Sequence, residues 1–460
     1  MLSVRQSILS KFDTQQVSLY FNNPSQYEKE LRQLSNYFFN VNAQYKTIIE
    51  YYSNMPTFSY DLDLLGSIDS YAVDKVKKKY LETSQYVDVL NLKHELNKVL
   101  KVVMKEDVFY GYEYETKDSY FIKKVNPDYC RISSIEDGVL NYAFNFQYFD
   151  SNKDHLEAFP KEFQDKYQQY KANPNNPWLE ISNKGVCFKY HEDLQYAIPP
   201  LNTMFESIFD LDEYKKLKKA KAKIDNFLLL VQKIPMGTDS KEIDNFLLDL
   251  ELAAQFHDNT SANLPDGVGL TTTPMPIERV SLQSNQTNTR DSVNEAIREV
   301  YSDSGVTQSI FNSEKNSSVG ISKSLMRAEQ IVFTLYRQFE RWMNRKLKKR
   351  SGPIKFSLTF IDMTNFSKEE EFNRTLKAAQ NGVPNVTRLG AIQGLSPNQL
   401  YNKAVLENKI LGIHDLIRPL STSHTQPANG DNTGGRPTAA DDQVADSTES
   451  WRESNDSRND

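Results

Sequence analysis

Two aspartates, Asp61 and Asp63, are the first residues in this sequence whose type and spacing could support catalysis. Two carboxylates separated by one residue can share a proton or hold a divalent cation. With a bound metal, such a pair would suit an enzyme that processes DNA. The segment runs directly into Leu65 and Gly66, which favours a solvated loop, so both interpretations stay open at this point.

Two other patterns resemble known metal-binding and phosphate-binding motifs but lack the necessary spacing. Cys187 and His191 are four residues apart, and no second cysteine or histidine pair completes a metal site. Residues 320–324 contain glycine, lysine and serine, but a phosphate-binding loop needs glycine directly before lysine and another glycine five residues earlier, where Lys315 stands. No G-x-S-x-G or Cys/His signature occurs either. We expect no catalytic residue, no metal ligand and no cofactor.

The net charge of −6 is concentrated at one end of the 460-residue chain. Residues 421–460 contain eight acidic and three basic side chains, so the rest of the chain is close to neutral. Tight binding to nucleic acid depends on many lysine and arginine contacts with phosphates, and a nearly neutral body argues against it. If the protein meets DNA, we expect the contact to be weak.

Length and composition place the chain among soluble proteins with two or more domains. Its longest apolar run, residues 227–231, is far too short to span a membrane, and the N-terminus lacks the regions of a signal peptide. The two cysteines imply no disulfide framework and favour a reducing cytoplasm.

Hydrophobic periodicity predicts an α+β domain in the first 200 residues. Helices are expected over 25–55, 84–104 and 154–170, where apolar residues recur every three or four positions. Short segments rich in aromatic and β-branched residues predict strands, over 107–115, 119–125, 128–132, 139–148 and 186–190.

The second half is predicted to be more helical. A helix opens at Pro199-Pro200, and another covers 291–301; between them, 227–235 and 267–282 predict strands that flank a helix over 241–256. A polar loop, 311–320, then leads into a long helix, 321–347, with seven apolar residues on one stripe. A strand over 353–362, helices over 364–409 with breaks at residues 381–382, 390 and 394, and a disordered tail complete the chain.

This succession of elements resembles the portal proteins of tailed bacteriophages, of the type found in phages of Gram-positive hosts. Local stretches over about residues 25–412 are similar to that family as well: Met55-Pro56, Pro127-Asp128-Tyr129-Cys130, residues 227–235, residues 296–300 with Gly305-Val306 and Ile310-Phe311, and residues 338–342 with 344–347. The order of the elements carries more of the resemblance than any single motif.

The resemblance assigns each part of the chain to a portal region: wing, 1–197; first stem helix, 198–226; small α/β clip, 227–283; second stem helix, 284–304; tunnel-loop region, 305–320; long wing helix and strand, 321–363; small helical crown, 364–412; disordered acidic tail, 413–460. It also implies which residues line a DNA channel. The tunnel-loop residues are Asn312, Ser313, Glu314, Lys315, Asn316, Ser317 and Ser318, and the stem lysines that could face the channel are Lys215, Lys216, Lys219 and Lys223.

What the resemblance implies about function is a homo-oligomeric ring, typically a dodecamer, at one vertex of the capsid. Double-stranded DNA would pass through its channel during packaging and ejection, with weak and non-specific contacts. The implied partners are the large terminase ATPase, a head-completion or adaptor protein, and the scaffolding and major capsid proteins. We expect a virion protein assembled in the host cytoplasm, with no membrane partner and no enzymatic activity.

Two other functions remain open at the level of sequence. Another ring or adaptor protein of a virion would share the helical rods, although an adaptor should be much shorter. A metal-dependent DNA-processing enzyme would use carboxylates such as Asp61 and Asp63, and the lysine-rich helix and the polar loop would then be a solvated face and a plain surface connection.

Overall fold

The computed structural model describes residues 14–67, 71–225, 228–237, 246–264, 268–273, 287–306, 310, 318–350 and 352–413. The helices there are α1 (Thr14–Asn22), α2 (Glu28–Val41), α3 (Ala43–Asn54), α4 (Val73–Val89), α5 (Leu92–Glu106), α6 (Tyr148–Ser151), α7 (Lys161–Ala172), α8 (Met204–Asp225), α9 (Leu250–Ala262), α10 (Thr287–Asp303), α11 (Ser318–Lys348), α12 (Lys368–Gln380), α13 (Val386–Ile392) and α14 (Pro397–Val405). The strands are β1 (Tyr60–Leu65), β2 (Val108–Glu115), β3 (Tyr120–Lys124), β4 (Cys130–Glu136), β5 (Val139–Asn145), β6 (Trp178–Glu180), β7 (Gly185–Lys189), β8 (Leu228–Lys233), β9 (Val268–Thr273) and β10 (Lys355–Phe360). The predicted α+β class is confirmed.

Two long predicted helices are each divided in two. The stripe expected over 25–55 breaks at Asn42, whose extended backbone ends α2 and whose side chain accepts a 2.9 Å hydrogen bond from the Tyr45 amide to begin α3. The helix expected over 84–104 is likewise interrupted, at Asn91 with φ of 45°, between α4 and α5. Short polar residues that cap a helix or adopt positive φ override an apolar repeat that continues through them.

Antiparallel pairing organises the sheets of the N-terminal region. One three-stranded sheet has the order β3-β2-β7, and a second has the order β4-β5-β6. The strands predicted over 107–115, 119–125, 139–148 and 186–190 are confirmed to within a few residues. The strand predicted over 128–132 begins only at Cys130, because Pro127–Tyr129 forms a 3-10 turn. The helix predicted over 154–170 is also shorter, because Pro160 separates a 3-10 segment from α7.

The long helix α11 lies in the middle of the main core. Five residues of its predicted stripe are at most 2% exposed: Ala328, Val332, Leu335, Phe339 and Trp342. Phe339 and Trp342 pack edge-on against Phe188 of β7, at ring-centroid distances of 4.7 and 5.8 Å. Each fully buried large apolar side chain contributes about 1.5–3 kcal/mol to stability. The predicted stripe is therefore confirmed along the C-terminal half of the helix.

The strand β1 is absent from the sequence prediction. It pairs antiparallel with β10 in a two-stranded sheet, with Asp61 opposite Thr359 and Asp63 opposite Ser357. The segment that looked like a solvated loop is thus a strand. Its alternation of apolar and acidic residues is typical of a half-buried strand, but the segment is short and Leu62 is its only buried residue.

The helices α8 and α10 form an antiparallel pair, since the hydroxyls of Thr203 and Ser207 at the start of α8 both donate to Asp303 at the end of α10. The helix predicted from Pro199 begins at Met204. Between the two helices in the chain lies a βαβ unit, with β8 and β9 parallel and joined through α9. The helix predicted over 241–256 begins instead at Leu250, where the Asp249 side chain caps the Glu251 amide.

Three short helices follow β10. The breaks predicted at Asn381-Gly382 and at Gly394 are confirmed, with φ of +88° at Gly382 and +93° at Gly394. The predicted break at Gly390 is wrong, because Gly390 lies inside α13. A Cβ at Gly390 would lie 2.8 Å from the Leu400 side chain, so glycine permits close packing there rather than a turn.

Candidate nucleic-acid interface

The predicted tunnel loop lies almost wholly outside the described residues. Asn312, Ser313, Glu314, Lys315, Asn316 and Ser317 belong to that part of the chain. Ser318 does not belong to a loop, since it is the first residue of α11, and Gly320 is also helical. Residues 320–324 are therefore the first turns of a helix, as their failed phosphate-loop spacing indicates.

The chain entering this loop is held in a tight turn after α10. The Tyr52 hydroxyl donates a 2.9 Å hydrogen bond to the Ser304 carbonyl, and the Ser304 hydroxyl donates to the Tyr301 carbonyl at 2.5 Å. Gly305 has φ of +76°, a conformation that disfavours other residues. Val306, the last residue before the gap, is 1% exposed. This end of the loop is anchored in the core.

Arg327, in the third turn of α11, lies close to the same anchor. A Cβ at Gly305 would be 3.8 Å from Nε of Arg327 and 3.9 Å from the Tyr52 hydroxyl. Burial raises the pKa of Tyr52, and the Arg327 cation acts weakly in the opposite direction. The Gly-Val turn is predicted from the sequence, whereas the contribution of Tyr52 and Arg327 to this anchor is not. Neither side chain carries a local signal, because they come from helices that are distant in the chain.

The four stem lysines differ in their surroundings. Lys216 forms an i,i+4 ion pair with Asp212 at 3.0 Å, so part of its charge is neutralised. Burial lowers the pKa of Lys215, with Asp212 acting in the opposite direction and Lys219 adding to the decrease. Lys219 is exposed one turn further along α8. The side chain of Lys223 lies outside the described residues.

The apolar stripe of α8 is buried only along its first turns. Phe205, Ile208 and Leu211 are fully buried. Farther along the helix, Tyr214 is 43% exposed and Leu217 is 59% exposed. The spacing of these residues predicts one continuous buried stripe, so the helix extends beyond the core on which it packs. Tyr214 and Leu217 are thus exposed apolar side chains on a lysine-rich helix.

Asp61 and Asp63, the carboxylates of the alternative site, lie in different surroundings. The Asp61 carboxylate pairs with Arg388 of α13 at 3.4 Å, and Arg388 also binds Glu371 at 2.9 Å. Burial raises the pKa of Asp61, and Arg388 opposes that rise. Asp63 is exposed. Across the described ranges, no three histidine, cysteine or acidic side chains are grouped to hold a metal ion.

The side chains of Cys187 and His191 have the surroundings of residues that stabilise the fold. Cys187 is buried in β7, and burial raises the pKa of its thiol. The His191 Nδ1 lies 2.6 Å from Oδ1 of Asp107, a fully buried carboxylate at the start of β2. The histidine is therefore a partner of Asp107 rather than of the cysteine. Within the part of the chain that was searched, no helix is long and apolar enough to cross a membrane.

No protein-family model matches this chain. A curated relative, the SPbeta prophage-derived uncharacterized protein YonE of Bacillus subtilis (strain 168), is 21% identical over 465 residues, which cover 92% of this chain and 87% of the relative. A chain from the virion of a native gene transfer agent particle matches with a TM-score of 0.43 and 13% identity, covering 81% of this chain and 94% of its own length. A chain from the neck of an empty gene transfer agent particle, computed with C6 symmetry, matches with a TM-score of 0.43 and 11% identity, covering 75% of this chain and 91% of its own length. Both TM-scores are too low for these likenesses to bear on function.

Proposed function

We propose that this chain is the portal protein of a tailed phage of a Gram-positive host. Its subunits assemble into a ring at one capsid vertex, and double-stranded DNA passes through the central channel. The large terminase ATPase docks on the ring during packaging, and a head-completion or adaptor protein replaces it afterwards. The scaffolding and major capsid proteins surround the ring during assembly. The ring itself catalyses no reaction.

The observation that carries this proposal is the arrangement of α8, the βαβ unit, α10 and α11. An antiparallel helix pair emerges from the core, bears a small α/β unit between its two members in the chain, and returns through the Gly305 turn toward a 31-residue helix. This is the succession expected of a stem, a clip, a tunnel loop and a long wing helix. The name of the 21% identical relative, which describes it as prophage-derived, supports a phage origin as well.

The charge distribution suits a channel that DNA slides through. Every strong phosphate contact would have to be broken at each packaging step, so a conduit benefits from few unpaired cations. Lys216 is paired with Asp212, and the predicted tunnel loop balances Glu314 against Lys315. These features favour weak, polar contact with the duplex over tight binding.

Exposed apolar side chains on the helix pair and on the βαβ unit support assembly into an oligomer. Leu217 on α8 is 59% exposed, and on or beside α9 Leu247, Leu250 and Phe256 are 67%, 56% and 49% exposed. A monomer gains nothing from such a set, whereas neighbouring copies of the chain can bury it between them.

Negative-stain electron microscopy of the purified protein tests the proposal directly. We expect rings with a central hole, and a compact single chain at high concentration would overturn the proposal. The same sample incubated with duplex DNA and Mg²⁺ or Mn²⁺ separates the rival enzyme, because DNA cleavage that depends on Asp61 and Asp63 would favour that function. Rings that never support packaging would favour another virion ring protein.

Replacing residues 312–317 with a glycine and serine segment of equal length is expected to leave ring assembly intact and to impair DNA packaging. The reason is that the flexible substitute lacks the polar and charged side chains that contact the passing duplex. The measurement is the amount of nuclease-protected DNA in particles assembled with the variant. A control that shuffles the same six residues keeps their composition and should retain most packaging. Normal packaging with the glycine and serine segment would contradict a channel role for the loop.

A further inference from the structure

A small basic cleft lies between α4 and the connection from α11 to β10. It has a volume of about 200 Å³, and its walls are one face of α4 and the backbone turn at residues 352–354. Lys75, Lys78, Lys79 and Glu82 face it from α4, where spacings of three and four residues place side chains on one side of a helix. The cleft thus collects three ammonium groups against one carboxylate.

The walls of this cleft are held in place by contacts outside it. The Tyr71 hydroxyl donates to the Pro353 carbonyl at 3.4 Å, which ties the turn to the chain just before α4. The Arg350 guanidinium lies 3.9 Å from the ring centroid of Tyr86 on α4, and this stacking joins the end of α11 to the same helix. The spacing between the walls is therefore set before any ligand arrives.

The positive charge of the cleft is only partly compensated. Lys79 pairs with Glu82 at 3.6 Å, while within the described residues no carboxylate lies within ion-pair distance of Lys75 or Lys78. Both of these lysines are exposed. Farther along the connection, Lys348 and Lys349 make long contacts of 3.6 and 3.7 Å with acidic residues of the β4–β5 hairpin. Those two lysines are therefore partly neutralised, and the excess positive charge is confined to the cleft itself.

We infer that this cleft binds phosphate groups of the duplex DNA backbone, with Lys75 and Lys78 as the principal contacts. Two exposed ammonium groups on one helix face recognise a phosphodiester as point charges, without reading sequence. The surface belongs to the α4 region and not to the helix pair or the predicted tunnel loop. The inference goes beyond the proposed function, because it gives the protein a second place to meet DNA that does not depend on a channel.

Fluorescence anisotropy with a short random-sequence duplex, titrated with NaCl, tests this inference on the full-length protein. Each lysine–phosphate contact that is lost should reduce the slope of log K against log salt by about 1, so Lys75→Gln/Lys78→Gln should reduce it by about 2 and weaken binding at low salt. Lys75→Arg/Lys78→Arg should retain the wild-type slope. Lys93→Gln/Lys117→Gln removes the same charge from exposed positions elsewhere and should leave the slope nearly unchanged.

The possible results separate clearly. Equal losses in the two glutamine variants would show a general effect of net charge and would overturn the inference. Failure of the wild-type protein to bind the duplex would overturn it too, and so would saturable binding of inorganic phosphate without any binding of DNA. A preparation without rings that still shows lysine-dependent binding would overturn the portal proposal alone. If the protein forms rings and substitution of Lys75 and Lys78 leaves DNA binding unchanged, only this inference is overturned.

Discussion

In the ring that we propose, replacing Leu217 with glutamate is expected to leave each subunit folded and to prevent ring closure. Leu217 is 59% exposed on α8, so the change removes little packing inside the subunit, and exposed substitutions of this kind alter stability by about 0.5 kcal/mol or less. At a contact between copies, the new carboxylate would have to lose its hydration, which costs several kcal/mol at every interface. Because closure requires all the interfaces, the loss of rings should be nearly complete.

The measurement is light scattering coupled to size-exclusion chromatography, with circular dichroism to establish that the subunit is folded. Lys218→Gln is the matched control, since it removes one positive charge from the neighbouring exposed position of the same helix. Phe256→Glu, on α9, places a carboxylate at a second exposed apolar residue. Rings that persist in both glutamate variants would contradict the assignment of these apolar side chains to subunit contacts.

The elements with strong hydrophobic periodicity could be predicted from the sequence. The buried half of α11 follows directly from its stripe, because a helix that must bury one face repeats its apolar residues at that spacing. The strands β2, β3, β5 and β7 follow from their aromatic and β-branched content in the same way. The α+β class follows from these elements, so it could be predicted from the sequence as well.

Features that depend on contacts between distant segments could not be predicted. β1 exists because β10, almost 300 residues later, supplies its hydrogen-bond partners, and nothing local marks Asp61 as a partner of Arg388. The breaks at Asn42 and Asn91 interrupt apolar repeats that are otherwise continuous. The anchor at Ser304 has the same origin, because Tyr52 reaches it from another helix.

The candidate nucleic-acid interface could be predicted from the sequence only in part. The order of the elements placed a polar loop between α10 and α11, and the Gly305 turn marked where it begins. The small, polar side chain of Ser318 predicts a loop residue, although such residues are also common where helices begin. The lysines of α8 form an evident group in the sequence, and the i,i+4 spacing of Asp212 and Lys216 is a local signal from which their ion pair could have been predicted.

Disrupting the buried ionic cluster around Lys189 should cause a large loss of stability in the N-terminal region. Lys189, 2% exposed at the end of β7, extends its ammonium group to within 3.6 Å of the fully buried Asp107 carboxylate. The same ammonium donates to the backbone carbonyls of His191 and Leu194. The Gln338 side chain of α11 accepts from the Lys189 amide and donates to its carbonyl, at 3.2 and 2.6 Å. One residue thus joins β2, β7, the following loop and the long helix.

Lys189→Met is expected to lower the free energy of unfolding of this region by about 3–5 kcal/mol, because it leaves the Asp107 charge buried without its cation. Methionine fills most of the lysine's volume, so the effect should come from charge more than from a cavity. Urea unfolding followed by tryptophan fluorescence measures it, since Trp342 packs against the adjacent Phe188. Lys184→Met, an exposed change just before the same strand, should have little effect.

A second variant decides whether the cost is electrostatic. Asp107→Asn added to Lys189→Met removes the uncompensated charge, and asparagine tolerates the positive φ of 67° at this position. The double variant should therefore be more stable than Lys189→Met alone, and a neutral amide can still be bonded by the His191 amide at 3.1 Å. If the two changes simply add, the contact between Asp107 and Lys189 contributes little, and the backbone carbonyls would be what holds the ammonium in the core.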